Sequence, residues 1–145
     1  MDELDSKLIN MLQRDGRASN AHLARQVGVS EGTVRRRLKR LIQEGIIQVV
    51  AMVDPQRVGQ RTEALVAIQA DPNKIEDVAT HLAGLEEIQW VSATTGAYDV
   101  FVWVAVPSAD ELRTFLRQRV GTVAGVRRTE TFVSLAMRKR AHIPA

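Results

Sequence analysis

Ser19-Asn20-Ala21-His22-Leu23-Ala24-Arg25-Gln26-Val27-Gly28-Val29-Ser30-Glu31-Gly32-Thr33-Val34-Arg35-Arg36-Arg37-Leu38-Lys39-Arg40-Leu41-Ile42 is the stretch whose reading decides the architecture. Ser19 is an N-cap for the segment up to Val27, which Gly28 ends. Ser30 is a second N-cap, opening a helix from Glu31 to Glu44 that Gly45 ends. Val34, Leu38, Leu41 and Ile42 fall at i, i+4, i+7 and i+8, one apolar stripe of a helix. Two short helices joined by the turn Gly28-Val29-Ser30 predict a helix-turn-helix. Upstream, Leu4, Leu8, Ile9, Met11 and Leu12 recur at helical spacing, with Asp2 placed to cap and Gly16 to stop, giving a first helix over 3–14. Downstream, Ile46–Val53 reads as a strand. Three helices and a strand make a winged helix-turn-helix over 1–53.

The second helix of such a unit enters the DNA major groove and reads with its N-terminal residues, here Ser30, Glu31, Gly32 and Thr33. Gly32 leaves room for close approach to a base edge or a phosphate. Behind them Arg35, Arg36, Arg37 and Arg40 offer guanidinium groups that pair bidentately with guanine or clamp phosphate. A basic helix face is ordinarily just a solvated surface. Here the caps, the helix lengths and the charge distribution all agree with contact to a polyanion. Residues 14–40 carry eight Arg or Lys against Asp15 and Glu31, a local net of +6, whereas 61–137 carry a net of −3. His22 is expected at the surface of the positioning helix.

Asp54-Pro55 breaks the preceding strand, and the polar stretch to Thr62 makes 54–62 a linker. Beyond it, 63–145 reads as a second domain. Glu63–Ala70 alternates as a strand. A helix with Ile75, Val78, Ala79 and Leu82 follows, then strands at Ile88–Thr94 and Tyr98–Val106. A helix with Leu112, Phe115, Leu116 and Val120 precedes a last strand over Val126–Met137. This order is β-α-β-β-α-β, the ferredoxin-like pattern. The fold class is therefore α+β. Two helices cover one face of a four-stranded sheet, so the other face is left for an interface, with Val102, Val104, Val133 and Leu135 as the expected apolar residues of that uncovered or sheet-edge surface. That surface predicts a homodimer. The turn Gly96-Ala97-Tyr98-Asp99 has two readings. Glycine opens backbone N–H groups to a carboxylate and Asp99 can hold an ammonium group, so the turn suits the two ends of an amino acid. Alternatively, Gly96 only satisfies a hairpin turn that Asp99 caps. Trp90 and Trp103, on the flanking strands, read as core aromatics.

Composition excludes other classes. The chain has 145 residues with no cysteine, which removes disulfide scaffolds, zinc ribbons and thiol nucleophiles. His22, His81 and His142 are too scattered to suggest a metal site, and no cofactor is expected. No apolar run approaches the ~20 residues of a membrane helix, and the acidic start Met1-Asp2-Glu3 is unlike a signal peptide, so a cytoplasmic location is expected. No nucleophile, base and orienting group fall at a recognisable spacing, so an enzyme is not expected.

Asp2–Asp5, Leu12–Asn20, Leu23-Ala24, Val27–Ser30, Val34–Leu38, Arg40-Leu41, Gly45–Ile47, Thr95–Asp99 and Thr129-Glu130-Thr131 through Leu135 stand together in one order. On these motifs, along essentially the whole chain, the sequence resembles the Lrp/AsnC, or feast/famine, transcriptional regulators. The resemblance implies a DNA-binding head joined to a ligand-sensing domain, and dimers that commonly assemble into octamers. It implies that a small molecule, usually an amino acid, binds between dimers near the glycine–aspartate turn, pointing to Gly96, Tyr98, Asp99 and Ser134. It also implies that the linking strand 46–53 pairs between subunits. The family further contains effectorless members, so a nucleoid-organising architectural protein is the alternative function. The tail Arg138-Lys139-Arg140 has no role in the resemblance and is left between DNA contact and disorder.

Overall fold

Asp2 begins the first helix, α1 (Glu3–Arg14), by a reciprocal capping box in which its side chain accepts from the Asp5 backbone N–H and the Asp5 carboxylate accepts from the Asp2 backbone N–H. Ser19 caps α2 (Asn20–Val27) by accepting from His22 N–H at 3.1 Å. Ser30 caps α3 (Glu31–Gln43) by accepting from Thr33 N–H at 3.2 Å. Gly28 ends α2 at φ +74°, a conformation that side chains with a Cβ rarely adopt, and so sets the turn between the two helices. Leu8, Leu23, Ala24 and Val34 are buried together at the centre of the three helices. Of the expected α3 stripe, Leu41 is also buried, but Ile42 is 49% exposed.

This computed structural model describes residues 1–141; the last residues of the expected C-terminal domain, His142 among them, lie outside the described residues. The chain forms two compact units, Met1–Met52 and a second from Val53 onward. The segment 46–53, expected as a strand, is unpaired in the single chain. Its β-branched residues favour an extended backbone, but a strand needs a neighbour to bond, and here Val49, Val50, Met52 and Val53 are all more than half exposed.

A short 3₁₀ turn (Pro55–Val58) leads into β1 (Thr62–Ala70). Then follow α4 (Ile75–Ala83), β2 (Ile88–Ala93), β3 (Val100–Val106), α5 (Ala109–Phe115) with a π-type continuation to Val120, and β4 (Val126–Val133). The four strands form one antiparallel sheet in the order β2-β3-β1-β4. This is the ferredoxin-like order, because each helical crossover places its next strand beyond a neighbour. Ala64, Val66, Ile68 and Ala70 of β1, with Val100, Val102, Val104 and Val106 of β3, face Val78, Leu82, Leu112, Phe115 and Val120 from the helices.

Three expectations are corrected here. Val102 and Val104 are fully buried under the helices and do not line the uncovered face. Strand alternation gives the open face to the other set of positions: Leu65, Phe101 and Trp103, with Trp90 and Phe132 each 47% exposed. Neither tryptophan is a core residue. The last strand ends at Val133, short of Met137, because its partner β1 begins at Thr62. Ser134 N–H donating to the Glu63 carbonyl is the final rung. Val133 and Leu135, at 52% and 99% exposed, are uncovered as expected.

Candidate nucleic-acid interface and ligand turn

The apolar stripe of α3 determines where its basic residues point. Val34 and Leu41 face the core, so Arg35 and Arg36 project outward and both are exposed. Arg35 makes no ion pair among the described residues. Arg36 donates to Thr33 Oγ1 at 3.2 Å, and its guanidinium lies beside Gly32, where a Cβ would sit 3.5 Å from it. Ser30 and Thr33 hydroxyls are 3.0 Å apart at the start of the helix. Ser30, Gly32, Thr33, Arg35 and Arg36 thus form one solvent-facing polar surface, with Glu31 exposed next to it.

Arg37 and Arg40, expected on the same surface, are engaged elsewhere. Arg37 pairs with Asp2 and with Asp5, the latter at 3.3 Å, and Arg40 Nη2 lies 2.5 Å from Asp5. Asp5 is fully buried, so these two guanidinium groups supply the countercharge it needs inside the fold. The Asp2 carboxyl, hydrogen-bonded to the Asp5 backbone N–H and paired with Arg37, is held at about 2, below its ordinary 3.8. The four residues lock α3 to the start of α1. The spacing of Asp2 and Asp5 matches that of Arg37 and Arg40, one helical turn each, but only the meeting of the α1 and α3 faces pairs them.

His22 is exposed on α2, as expected, and lines a concavity with Lys7, Asn10, Arg14 and Gln26 over Met11 and Val27. No α3 residue lines it.

In the second unit, the turn before β3 is closed by its own residues. Thr94 N–H donates to the Asp99 carbonyl at 2.9 Å, and Thr94 Oγ1 donates to the Tyr98 carbonyl at 3.2 Å. Gly96 sits at φ +106°, which suits glycine and closes the turn. Asp99 joins this turn to β1: its N–H donates to the Ile68 carbonyl and its Oδ2 accepts from Ala70 N–H, both at 2.9 Å. The Tyr98 hydroxyl donates to Glu130 on β4, and that bond, with partial burial, raises the phenol above its usual range. Gly96, Tyr98 and Asp99 are therefore brought together. Ser134 is not. It bonds at the Glu63 end of β1, about 17 Å along the strand from Ile68 at the usual rise of ~3.4 Å per residue.

Of the tail Arg138-Lys139-Arg140, the first two residues are exposed and the third is engaged within the fold. Arg140 forms a bidentate pair with Glu63, Nη1 to Oε1 at 3.0 Å and Nη2 to Oε2 at 2.8 Å. Glu63 opens the strand that the sequence predicts over Glu63–Ala70. Its position on the same face as Leu65 and Ala67 is the sequence signal of a charge that must find a partner. Among the described residues, no cluster of His, Asp and Glu could hold a metal ion, and no helix is long and apolar enough to cross a membrane.

Comparison with known proteins agrees with these two units. Residues 1–42 match the model of the AsnC-type helix-turn-helix domain, and residues 63–143 match that of the Lrp/AsnC ligand binding domain. An HTH-type transcriptional regulator of Pyrococcus furiosus is 39% identical over 140 residues, spanning 96% of this chain and 95% of its own. The crystal structure of the Mycobacterium tuberculosis leucine response regulatory protein superposes with a TM-score of 0.89 at 34% identity, covering 99% of this chain and 100% of that one. A transcriptional regulator from Neisseria meningitidis, crystallised as its L-Met complex, superposes with a TM-score of 0.88 at 25% identity, covering 99% and 96%.

Proposed function

The chain belongs to the Lrp/AsnC family of transcriptional regulators, and on that premise we propose that it binds a specific double-stranded DNA sequence under the control of a small-molecule effector, an amino acid. The observation that carries the DNA part is the division of labour on α3. Arg37 and Arg40 are tied to Asp2 and Asp5, which leaves Arg35 and Arg36 outward beside the capped first turn. A rigidly held helix with outward guanidinium groups can read guanine bidentately, whereas a frayed one could not hold register. Ser30, Glu31, Gly32 and Thr33 lie nearest the base edges in this reading. Arg37 and Arg40 support the helix first and meet phosphate second.

The effector reading rests on the turn at Gly96. Among the described residues the Gly96 and Ala97 N–H groups donate to no protein acceptor, and Asp99 Oδ1 is without a donor. An α-carboxylate suits the first and an α-ammonium the second. The family relative crystallised with L-Met supports an amino acid as the ligand class. The open face, with Trp90 and Phe132 exposed, supports a homodimer, and family resemblance extends that to higher assemblies such as octamers. A cytoplasmic site of action accompanies this function.

A second reading has its own observation. Asp99 and Tyr98 already bond Ala70 and Glu130, so the turn can serve the fold alone. The protein is then an effector-independent architectural DNA binder. Fluorescence anisotropy with DNA from the upstream region of its own gene and with a scrambled duplex, over a salt series, separates the two. A strong preference for the upstream DNA supports the regulator. Equal binding that collapses as salt rises supports the architectural protein.

A further inference from the structure

Glu63 is only 2% exposed, yet its carboxylate is ionised and fully satisfied. Oε1 accepts from Trp103 Nε1 and Arg140 Nη1, both at 3.0 Å. Oε2 accepts from Gln56 Nε2 at 3.0 Å and Arg140 Nη2 at 2.8 Å. Burial pushes this carboxyl up, but the bonds from Arg140, Trp103 and Gln56 outweigh it and bring it below its ordinary value. The donors come from three places: β3, the 3₁₀ turn at Pro55–Val58, and the tail beyond β4. The backbone of Glu63 also receives Ser134 N–H at 2.8 Å, so both ends of the 134–140 tail close on one residue. The other bonds of the turn stay within residues 54–60: Gln56 N–H to Asp54 Oδ1, Arg57 N–H to the Asp54 carbonyl at 3.1 Å, Gly59 N–H and Gln60 N–H to the Pro55 carbonyl, and an Arg57–Asp54 pair at 3.7 Å; Pro55 is buried.

We propose that Arg140 and Glu63 form a clasp by which the C-terminal tail holds the linker turn Pro55–Val58 onto the ligand-binding unit. The clasp has a physical logic. A carboxylate on this face is too costly to bury alone, and Arg140 is the cation that neutralises it, in a two-pronged geometry lysine cannot copy. Once ionised and oriented by Arg140, Glu63 presents its second oxygen to Gln56. Removing Arg140 leaves a buried charge that must draw in water, and water competes for Gln56. This turn is the first element of the second unit, so the clasp governs how firmly the start of that unit is held to its own sheet.

Hydrogen exchange on the full-length protein tests this through the amides of Arg57 and Gln60, which report the turn, against those of Val66 and Val102, which report the sheet. In Arg140→Ala the turn amides are expected to exchange about tenfold faster or more, the scale of a lost charge-assisted bond, with the sheet amides unchanged. Arg140→Lys, keeping the charge without the fork, is expected to fall between. Should Arg140→Ala fail to fold, the pair Glu63→Gln with Arg140→Ala removes the orphaned charge and is expected to loosen the turn selectively. Turn amides that exchange as in the unmodified protein would overturn the clasp. So would acceleration spread equally through β1 and β3, since Glu63 would then stabilise the sheet and not the turn.

Discussion

At the scale of single residues, the arginines of α3 look alike in sequence and differ in what their neighbours demand. Arg37 and Arg40 answer to Asp5, whose burial leaves its charge no other remedy. Arg35 and Arg36 have no such duty. Arg35→Ala and Arg36→Ala are therefore expected to leave the fold intact and weaken operator binding, a base-reading arginine by ~1–3 kcal/mol with relaxed specificity at one position. Anisotropy against operator variants measures this, and full affinity in both variants would remove α3 from the reading role. Asp5→Ala is expected to behave in the opposite way. It should destabilise the N-terminal unit by about 1–3 kcal/mol in thermal unfolding, because Arg37 and Arg40 lose the carboxylate that holds α3 to α1. Asp2 adds a pH dependence of known sign. Its carboxyl is lowered in the fold from 3.8 to about 2, so its stabilising contribution is complete above its ordinary value and is lost as pH falls through that interval. Thermal melts between pH 5 and 2 should show a falling component that Asp2→Asn lacks; parallel curves for the two proteins would exclude it. Caps and outward arginines were legible in the sequence because they depend on local spacing. The Asp2, Asp5, Arg37 and Arg40 network was not, because it depends on which faces of α1 and α3 meet.

At the scale of elements, the order of helices and strands was readable because each is bounded by caps, glycines or prolines. Facing was harder to read. The run Val100–Val106 is apolar throughout, so its period does not say which residues the helices cover. The pairings settle it: Val102 and Val104 go inward, and Phe101 and Trp103 go to the open face. The strand expected over 46–53 failed for another reason. Its composition suits a strand, but pairing is a property of two segments, and the single chain offers it none. These exposed apolar surfaces carry one expectation. Phe132→Asp, placing a charge on the β4 edge of the open face, should weaken self-association at least tenfold without unfolding the unit, because an unpaired carboxylate there would be buried on dimerisation. Val50→Asp should act in the same direction if the linking segment pairs between subunits. Sedimentation velocity across a concentration series reads both. An unchanged association constant for Phe132→Asp would move the interface off the sheet.

At the scale of the whole molecule, a regulator needs coupling between its two units, and coupling is reciprocal. An effector that changes DNA affinity by some factor must have its own affinity changed by DNA by the same factor. The two sites such coupling requires are, in the reading proposed above, the outward arginines on one unit and the turn at Gly96 and Asp99 on the other. A screen of amino acids by Trp emission is well placed to find the ligand, since Trp90 and Trp103 lie on the strands flanking the turn and Trp90 is half exposed. Isothermal titration of the hit, with and without operator DNA, then measures the coupling directly. A factor of about 5–150 is the ordinary range for such systems. Asp99→Asn should abolish ligand binding by removing the charge proposed to face the ligand's ammonium group. It should leave DNA affinity without ligand near that of the unmodified protein, because asparagine still accepts from Ala70 N–H. Equal ligand affinity with and without DNA would separate the two functions altogether. Loss of DNA binding in ligand-free Asp99→Asn would instead mean that this turn holds the fold or the assembly together, the outcome that the architectural reading requires.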